Sequence, residues 1–414
     1  MPRVVVIGAG AAGSMAAIFA ATAGAETILL ERTRDGGRKI LISGGGRCNV
    51  LPMKLDETRF VTDSSPNLLR KMVRSWPLEQ QRAFFENEVG IPLVDEDEAS
   101  KVFPASHRAR DVRDGLLATA YARGAEMRFN TLVSGIEPQQ SGWRVLIDGG
   151  AAIEADAVIV ATGGLSVPNT GSDGTGLRML AQLGHTMHPT YAALTPMLGN
   201  SAEFASLSGV SLTVSLQAQS PQHNATARGG FLFTHHGYSG PSVLDVSHVV
   251  VRSRHEGDGS AKVRVQWTPL DATAWENALK PKGARTVTGA LRAEMPDRLA
   301  AVLLQLADVD PTRTLAELRR DERLRLIDML VRGELPWSSD EGYKKAEVTG
   351  GGVALSEVDS RTMESKRHSG LFICGEALDA FGPIGGYNFL WSWATGRAAG
   401  TGAAKKVLTP KDAG

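Results

Sequence analysis

The chain has 414 residues, a length that supports two or three domains with sizeable cores. Its 45 Lys+Arg balance 45 Asp+Glu, so the formal net charge is zero, which argues against nucleic-acid or anionic-membrane partners. The two cysteines, Cys48 and Cys374, lie far apart and outside any CxxC pattern; a disulfide framework and a structural zinc site are not expected, and a reducing cytoplasm fits.

In chain order, Met1-Pro2-Arg3 and the apolar run to Ala25 superficially resemble a signal peptide. The glycine spacing explains the same residues better. Residues 4–7 form a buried strand that runs straight into Gly8-Ala9-Gly10-Ala11-Ala12-Gly13, and a second strand, 26–30, ends at Glu31. Strand, GxGxxG, helix, strand and acid together are the dinucleotide fingerprint in its required context. Gly8 permits the tight turn, Gly10 lets backbone approach a pyrophosphate, and Gly13 lets the helix pack on the strand. The helix from about 11 to 23 then points free N–H groups, including those of Ala11 and Ala12, at the phosphates. Glu31, with Arg32 beside it, is expected at the adenosine ribose, and an acid there favours FAD or NAD over NADP.

A glycine-rich loop follows, holding Lys39 and then Ser43-Gly44-Gly45-Gly46-Arg47-Cys48-Asn49. Such density suits close approach of backbone to a ligand. Lys39 and Arg47 are expected to neutralise the cofactor, and Cys48 to pack or touch it rather than do dithiol chemistry. Helices are expected after Pro66 and Pro77 and over 111–123, with strands near 126–129 and 143–147. The strand 157–161 ends in Ala161-Thr162-Gly163, a second small-residue turn. Gly171 to Gly176 reads as a turn near the cofactor, because neither a preceding strand nor a later acid makes it an independent NAD domain.

Character changes near Pro189. Strands 210–218 and 261–267 alternate apolar and polar, and 271–332 turns helical and charged, with a capping box at Thr314 and Glu317. The expected organisation is an FAD domain in two segments, 1–189 and 346–414. They flank an insert, 190–345, whose β-barrel part is 190–270 with 333–345 and whose helical part is 271–332. Arginines 319, 320, 323 and 325 interleave with acids and read as a solvated helix face. No stretch beyond the first reaches ~20 apolar residues, so no membrane span is expected.

FAD is distinguished from NAD late in the chain. The strand 371–374 ends in Gly375-Glu376, an acid suited to a ribityl polyol, and Gly385-Gly386-Tyr387-Asn388 opens a helix whose N–H groups suit the reduced flavin. His235 and His236 are the candidate general bases, with a turn-bonding structural role as the alternative. No metal site is expected.

These ordered motifs, with Phe233 to Pro241, Val348 to Val353 and Thr362 to Lys366, resemble the aminoacetone oxidase-like (YhiN/BaiN-like) FAD-binding flavoprotein family over nearly the whole chain. The resemblance implies a glutathione-reductase-like, Rossmann-type α/β FAD domain interrupted by a β-barrel plus helical insert. It implies an FAD-dependent oxidoreductase without fixing a substrate. The expectation is hydride transfer between flavin N5 and a small molecule, with oxygen or NAD(P)H as redox partner. An RNA-modifying protein and a non-catalytic FAD-binding protein are the alternatives.

Overall fold

A computed structural model describes residues 1–97, 100–199, 202–257 and 261–409. The chain divides into two compact units, Met1–Thr190 with Val348–Gly414, and Tyr191–Glu347.

The first unit is built on a five-stranded parallel sheet. Its strand order is Leu371–Ile373, Ala157–Val160, Arg3–Ile7, Glu26–Leu30, Glu126–Arg128. The three strands on the Leu371 side read as near-continuous Val, Ile and Leu because both faces of a parallel sheet are covered, and Val4 to Val6 and Val158 to Val160 are fully buried. Parallel pairing puts the loops that follow Ile7, Leu30, Val160 and Ile373 at one carboxyl edge, where open α/β sheets bind their ligands.

Two helices pack against each other beside this sheet, Ala11–Thr22 and Tyr387–Leu408. Their approach depends on small residues four apart. A Cβ built on Gly396 would lie 2.3 Å from Ala12 O, and one on Gly400 2.2 Å from Ala16 O. The aromatic residues of the last helix are core: Trp391 and Trp393 are buried, and they donate to the carbonyls of Gly375 and Val50.

The second unit is a seven-stranded antiparallel sheet with helices. The order is Gly333–Glu334, Lys262–Gln266, Ser211–Gln219, Asn224–Phe233, Gly237–Ser239, Met197–Leu198, Ser339–Asp340. Val214, Leu216, Val263, Val265, Phe231 and Phe233 fill its buried face. Helices Ala272–Ala278, Val287–Arg292, Asp297–Leu306 and Arg320–Arg332 occupy the segment expected to be helical, and the Thr314–Glu317 capping box is formed.

One element departs from expectation. Pro241–His255, inside the segment expected to be β, is a 15-residue helix packed on strands Ser211–Gln219 and Asn224–Phe233. Its valines suggest a strand, yet Val243, Val246, Val249 and Val250 recur at helical spacing and are all buried. Pro241 sits in the first turn, where its missing N–H costs nothing.

Substituting Gly400 by Ala should destabilise the fold. Alanine gains up to ~1 kcal/mol of helix propensity, but its Cβ meets backbone, which cannot yield as a flexible side chain would, and overpacking costs ~1–3 kcal/mol. A fall in the urea midpoint is expected; a midpoint unchanged or raised refutes the packing argument.

Candidate cofactor and active site

The glycines of the first turn have separable physical causes. Gly8 has φ +102°, and its Cβ would lie 2.7 Å from Ala161 O; a Cβ on Gly13 would lie 1.8 Å from Gly8 O. The protein's own backbone therefore demands both. Gly10 differs: its φ is −80°, and a Cβ there would meet nothing within 4 Å. Nothing inside the protein requires glycine at Gly10, so the open space beside it fits the close approach of a ligand. The helix that begins at Ala11 has no side-chain cap, which leaves its first-turn N–H groups for an anion.

Glu31 is 8% exposed. Its Oε2 accepts from Ala9 N at 2.8 Å, and its Oε1 from Thr33 N at 2.8 Å and Thr33 Oγ1 at 2.7 Å. The carboxylate thus ties the first turn to the end of the second strand. Arg32 forms an ion pair with Asp173 in the Gly171 to Gly176 turn. Burial would raise the Asp173 carboxyl, but hydrogen bonds from Arg32 and Thr175 outweigh it and bring it down to about 2.

In the glycine-rich loop Gly44, Gly45, Gly46 and Cys48 all have positive φ. A Cβ on Gly45 would meet nothing within 4 Å, again leaving open space. Asn49 Oδ1 is buried beside Gly44 and has no hydrogen-bond partner. An orphaned buried acceptor is costly, and it fits a bound group that presents N–H or O–H. The Ser43 hydroxyl donates to Ile40 O. Cys48 is fully buried; burial pushes its thiol up to about 12, so it is protonated and packed rather than nucleophilic, and Cys374 is the same. The Arg47 guanidinium is held by Glu96 at 2.6 Å and lies 4.2 Å over the Phe103 ring.

The other side of the crevice holds a polar network. Glu376 Oε2 accepts from Lys39 Nζ at 2.7 Å, across 337 positions of sequence. Its Oε1 accepts from Ser166 Oγ at 2.8 Å, Thr349 N at 3.0 Å and Thr349 Oγ1 at 2.9 Å. Lys39 Nζ also donates to Ser166 Oγ at 2.6 Å. Burial pushes the Glu376 carboxyl up, but the Lys39 charge and these hydrogen bonds overcome it and hold the group below the usual range. Glu376 is thus the anchor of Lys39 as well as an acid at the crevice. The sequence points to Lys39 and Glu376 but not to their pairing with each other or with Ser166 and Thr349, because no local pattern links segments so far apart.

A Cβ on Gly386 would lie 2.4 Å from the Leu51 carbonyl carbon, so glycine is required where the last helix begins. Tyr387 donates to Lys54 O at 3.1 Å, and Asn388 grips Gly382 through both N–H and C=O at 2.9 Å. These side chains hold the turn, and the helix start carries no side-chain cap. Nearby Asp379, 2% exposed, accepts from Asp63 N, Ser64 N and Ser64 Oγ, and Ser64 Oγ lies 3.2 Å from His188 Nε2. That cluster also went unread in the sequence, since its members come from three separate segments.

His235 and His236 belong to the second unit, exposed on the turn before Gly237–Ser239. His235 Nδ1 lies 3.2 Å from Ser208 Oγ, and the His236 N–H donates to Thr234 Oγ1. Among the described residues no His, Cys, Asp and Glu cluster has metal-site geometry, and no helix is long and apolar enough to cross a membrane.

Gly10, Gly45 and the orphaned Asn49 oxygen fit FAD. Residues Gly8–Gly13 and Glu31 would hold its adenosine half, and the 43–49 loop, the Lys39–Glu376 network and the amides at Gly386 its flavin half. Parallel sheet, fingerprint turn and this cradle define a Rossmann-type FAD-dependent oxidoreductase. The chain belongs to the family described as HI0933-like protein Rossmann domain, whose profile matches residues 2–402. It is similar to the 3-dehydro-bile acid delta(4,6)-reductase of Clostridium scindens, 30% identical over 98% of this chain and 100% of that protein. It is also similar to the ribosomal RNA dihydrouridine synthase of Escherichia coli, 29% identical over 94% and 95% of the two chains. Among solved structures, 3-ketosteroid delta1-dehydrogenase from Sterolibacterium denitrificans shares the fold, with TM-score 0.56 and 11% identity over 98% of this chain and 100% of that one.

Gly10→Val should lose FAD while the unliganded protein keeps its melting temperature, since a Cβ at this position meets no protein atom within 4 Å. Stoichiometric FAD in the purified variant, read from its visible spectrum, refutes the pyrophosphate role.

Glu376→Gln should destabilise by about 2–4 kcal/mol at pH 7, because it strips Lys39 of its countercharge in a mostly buried site. Lys39→Met in the same chain should restore part of that. Because the folded carboxyl lies below its ordinary 4.5, its contribution is complete above that pH and is lost as pH falls through the folded value. The gap between wild type and Glu376→Gln, measured by urea unfolding, should therefore close only under acid; a gap that widens in acid overturns the assignment.

Proposed function

We propose that this chain is an FAD-dependent reductase of a small-molecule substrate, acting on a carbon–carbon double bond conjugated to a carbonyl group. The observation that carries the reading is the end-to-end similarity to a bile acid delta(4,6)-reductase, whose name describes such a bond in a 3-oxo ring system. Bound FAD, once reduced by NAD(P)H, would supply hydride from N5.

The protein's own contributions follow from the cradle. First-turn amides of Ala11–Thr22 and the space at Gly10 bind the pyrophosphate, and Glu31 orients the ribose end. Cys48 packs the glycine-rich loop from inside while Arg47, outside it, is held by Glu96, leaving the Asn49 oxygen to accept from the ring system. Lys39, fixed by Glu376, holds a positive charge at the crevice, and the uncapped amides at Gly386 favour negative charge on the reduced ring. His235 and His236 are the candidates to donate the proton that completes reduction. NAD(P)H is the electron donor in this reading.

A second reading has its own observation. A dihydrouridine synthase saturates the double bond of uridine, which is also conjugated to a carbonyl, so a similar protein applies the same bond chemistry to ribosomal RNA. The two readings differ in what carries the bond.

The deciding experiment is anaerobic. The yellow protein is bleached with NADH or NADPH, and then offered a 3-oxo-4,6-diene steroid or a uridine-containing ribosomal RNA fragment. Recovery of the oxidised spectrum with the steroid supports the first reading, and with RNA the second. Recovery only with oxygen overturns both in favour of an oxidase.

A further inference from the structure

The outward face of the second unit's sheet carries a segregated set of charges. Along Ser211–Gln219, apolar residues point inward, and Ser215, Gln217 and Gln219 point outward. The register sets Ser215 between Arg228 and Gln266, Gln217 between Thr226 and Arg264, and Gln219 between Asn224 and Lys262. Arg228, Lys262 and Arg264 are exposed and share this face. Lys262 and Arg264 stand two residues apart on one strand, ~6.8 Å along it, and Arg228, two strands across and level with Gln266, lies ~12 Å from Arg264.

Among the described residues none of these three cations has an ion-pair partner. One carboxylate, Glu334, stands opposite Arg264 on the edge strand, so among the described residues the face holds three cations against one anion. A depression of about 240 Å³ lies among Gln217, Gln219, Ser220, Pro221, Lys262 and Arg264.

The arginine-rich helix offers a contrast. There Arg325 pairs with Asp321 at 3.0 Å, Arg319 with Glu322 at 3.1 Å and Arg332 with Asp328 at 2.7 Å, so three guanidiniums are locally neutralised, while Arg320 and Arg323 have no ion pair among the described residues. The zero net charge of the chain hides the difference because a sum has no geometry.

We propose that this sheet face docks the sugar–phosphate backbone of RNA. Arg228, Lys262 and Arg264 take phosphates, and the glutamines, serines and threonine between them serve phosphate oxygens and 2′-hydroxyls. The spaced cations suit a chain of phosphates, and the strands between them present amides and hydroxyls rather than the apolar side chains that a lipid surface would take up. The catalytic meaning of this docking rests on the second reading of the site; the binding itself does not.

The test uses the FAD-loaded protein and a fluorescent fragment of bacterial ribosomal RNA, with anisotropy followed over a salt series. Wild type should bind with an affinity that falls as salt rises. The triple variant Arg228→Gln, Lys262→Gln, Arg264→Gln should bind at least about tenfold more weakly at 0.1 M salt. Its slope of log K against log salt should be shallower by about two, from three lost phosphate contacts at ~0.7 each. FAD content and the rate of bleaching by NADPH should be unchanged, which excludes misfolding. Failure of wild type to bind RNA, equal affinity and slope in the variant, or binding to phosphatidylglycerol vesicles in place of RNA each overturns the proposal. Loss of RNA binding with steroid reduction intact leaves the double-bond chemistry standing. RNA binding without any substrate reduction removes that chemistry and leaves the docking face.

Discussion

Backbone meeting backbone without side chains between is the constraint on which the first unit depends. Residues near Gly8, Ala161 and Gly396 come from distant parts of the chain, yet they approach so closely that a single methyl group at Gly13, Gly396 or Gly400 would overlap a carbonyl oxygen. Close packing of this kind fixes the first turn against the neighbouring strand and against the last helix. The turn therefore cannot drift, and the uncapped amides at Ala11 keep their place at the carboxyl edge of the sheet. Gly10 and Gly45 stand apart because the protein itself places nothing beside them.

Electrostatics then divides the crevice into two halves of different character. On one side the Glu31 carboxylate is met by backbone and by Thr33, so it is fixed without a countercharge. On the other, Lys39 and Glu376 form an ion pair bonded through Ser166 and Thr349. A mostly buried pair repays its desolvation only when the remaining lone pairs are satisfied, and here four donors from three side chains and one amide reach one carboxylate. The result is a fixed cation beside a cradle suited to FAD, with both cysteine thiols kept protonated by burial.

The second unit solves a different problem. Its antiparallel sheet buries one face against the helix Pro241–His255 and other apolar elements, and alternation along each strand frees the opposite face to be polar. Cations from strands that are separate in sequence are brought onto one face there by alternation and register. The same alternation that builds the core thus assembles an exposed charged surface.

The sequence alone determined what depends on short-range pattern. The FAD fingerprint, the parallel strands that follow it, the capping box at Thr314 and the alternating strands of the insert are legible because glycine tolerance, strand period and helix spacing act over a few residues. Lys39, Glu31 and Glu376 could be named as candidates for the same reason, each lying in a recognisable turn. Only the tertiary structure decided their partners. The bonds from Lys39 to Glu376, from Thr349 to Glu376 and from Ser64 to Asp379 cross 337, 27 and 315 positions, and long-range pairing leaves no local trace. The helix at Pro241 was hidden for a related reason: its valines favour strand intrinsically, and burial of a helical stripe overrode that preference. Composition gave a charge of zero, and folding decided where the charges stand, because a sheet sorts side chains by face whereas a sequence only counts them.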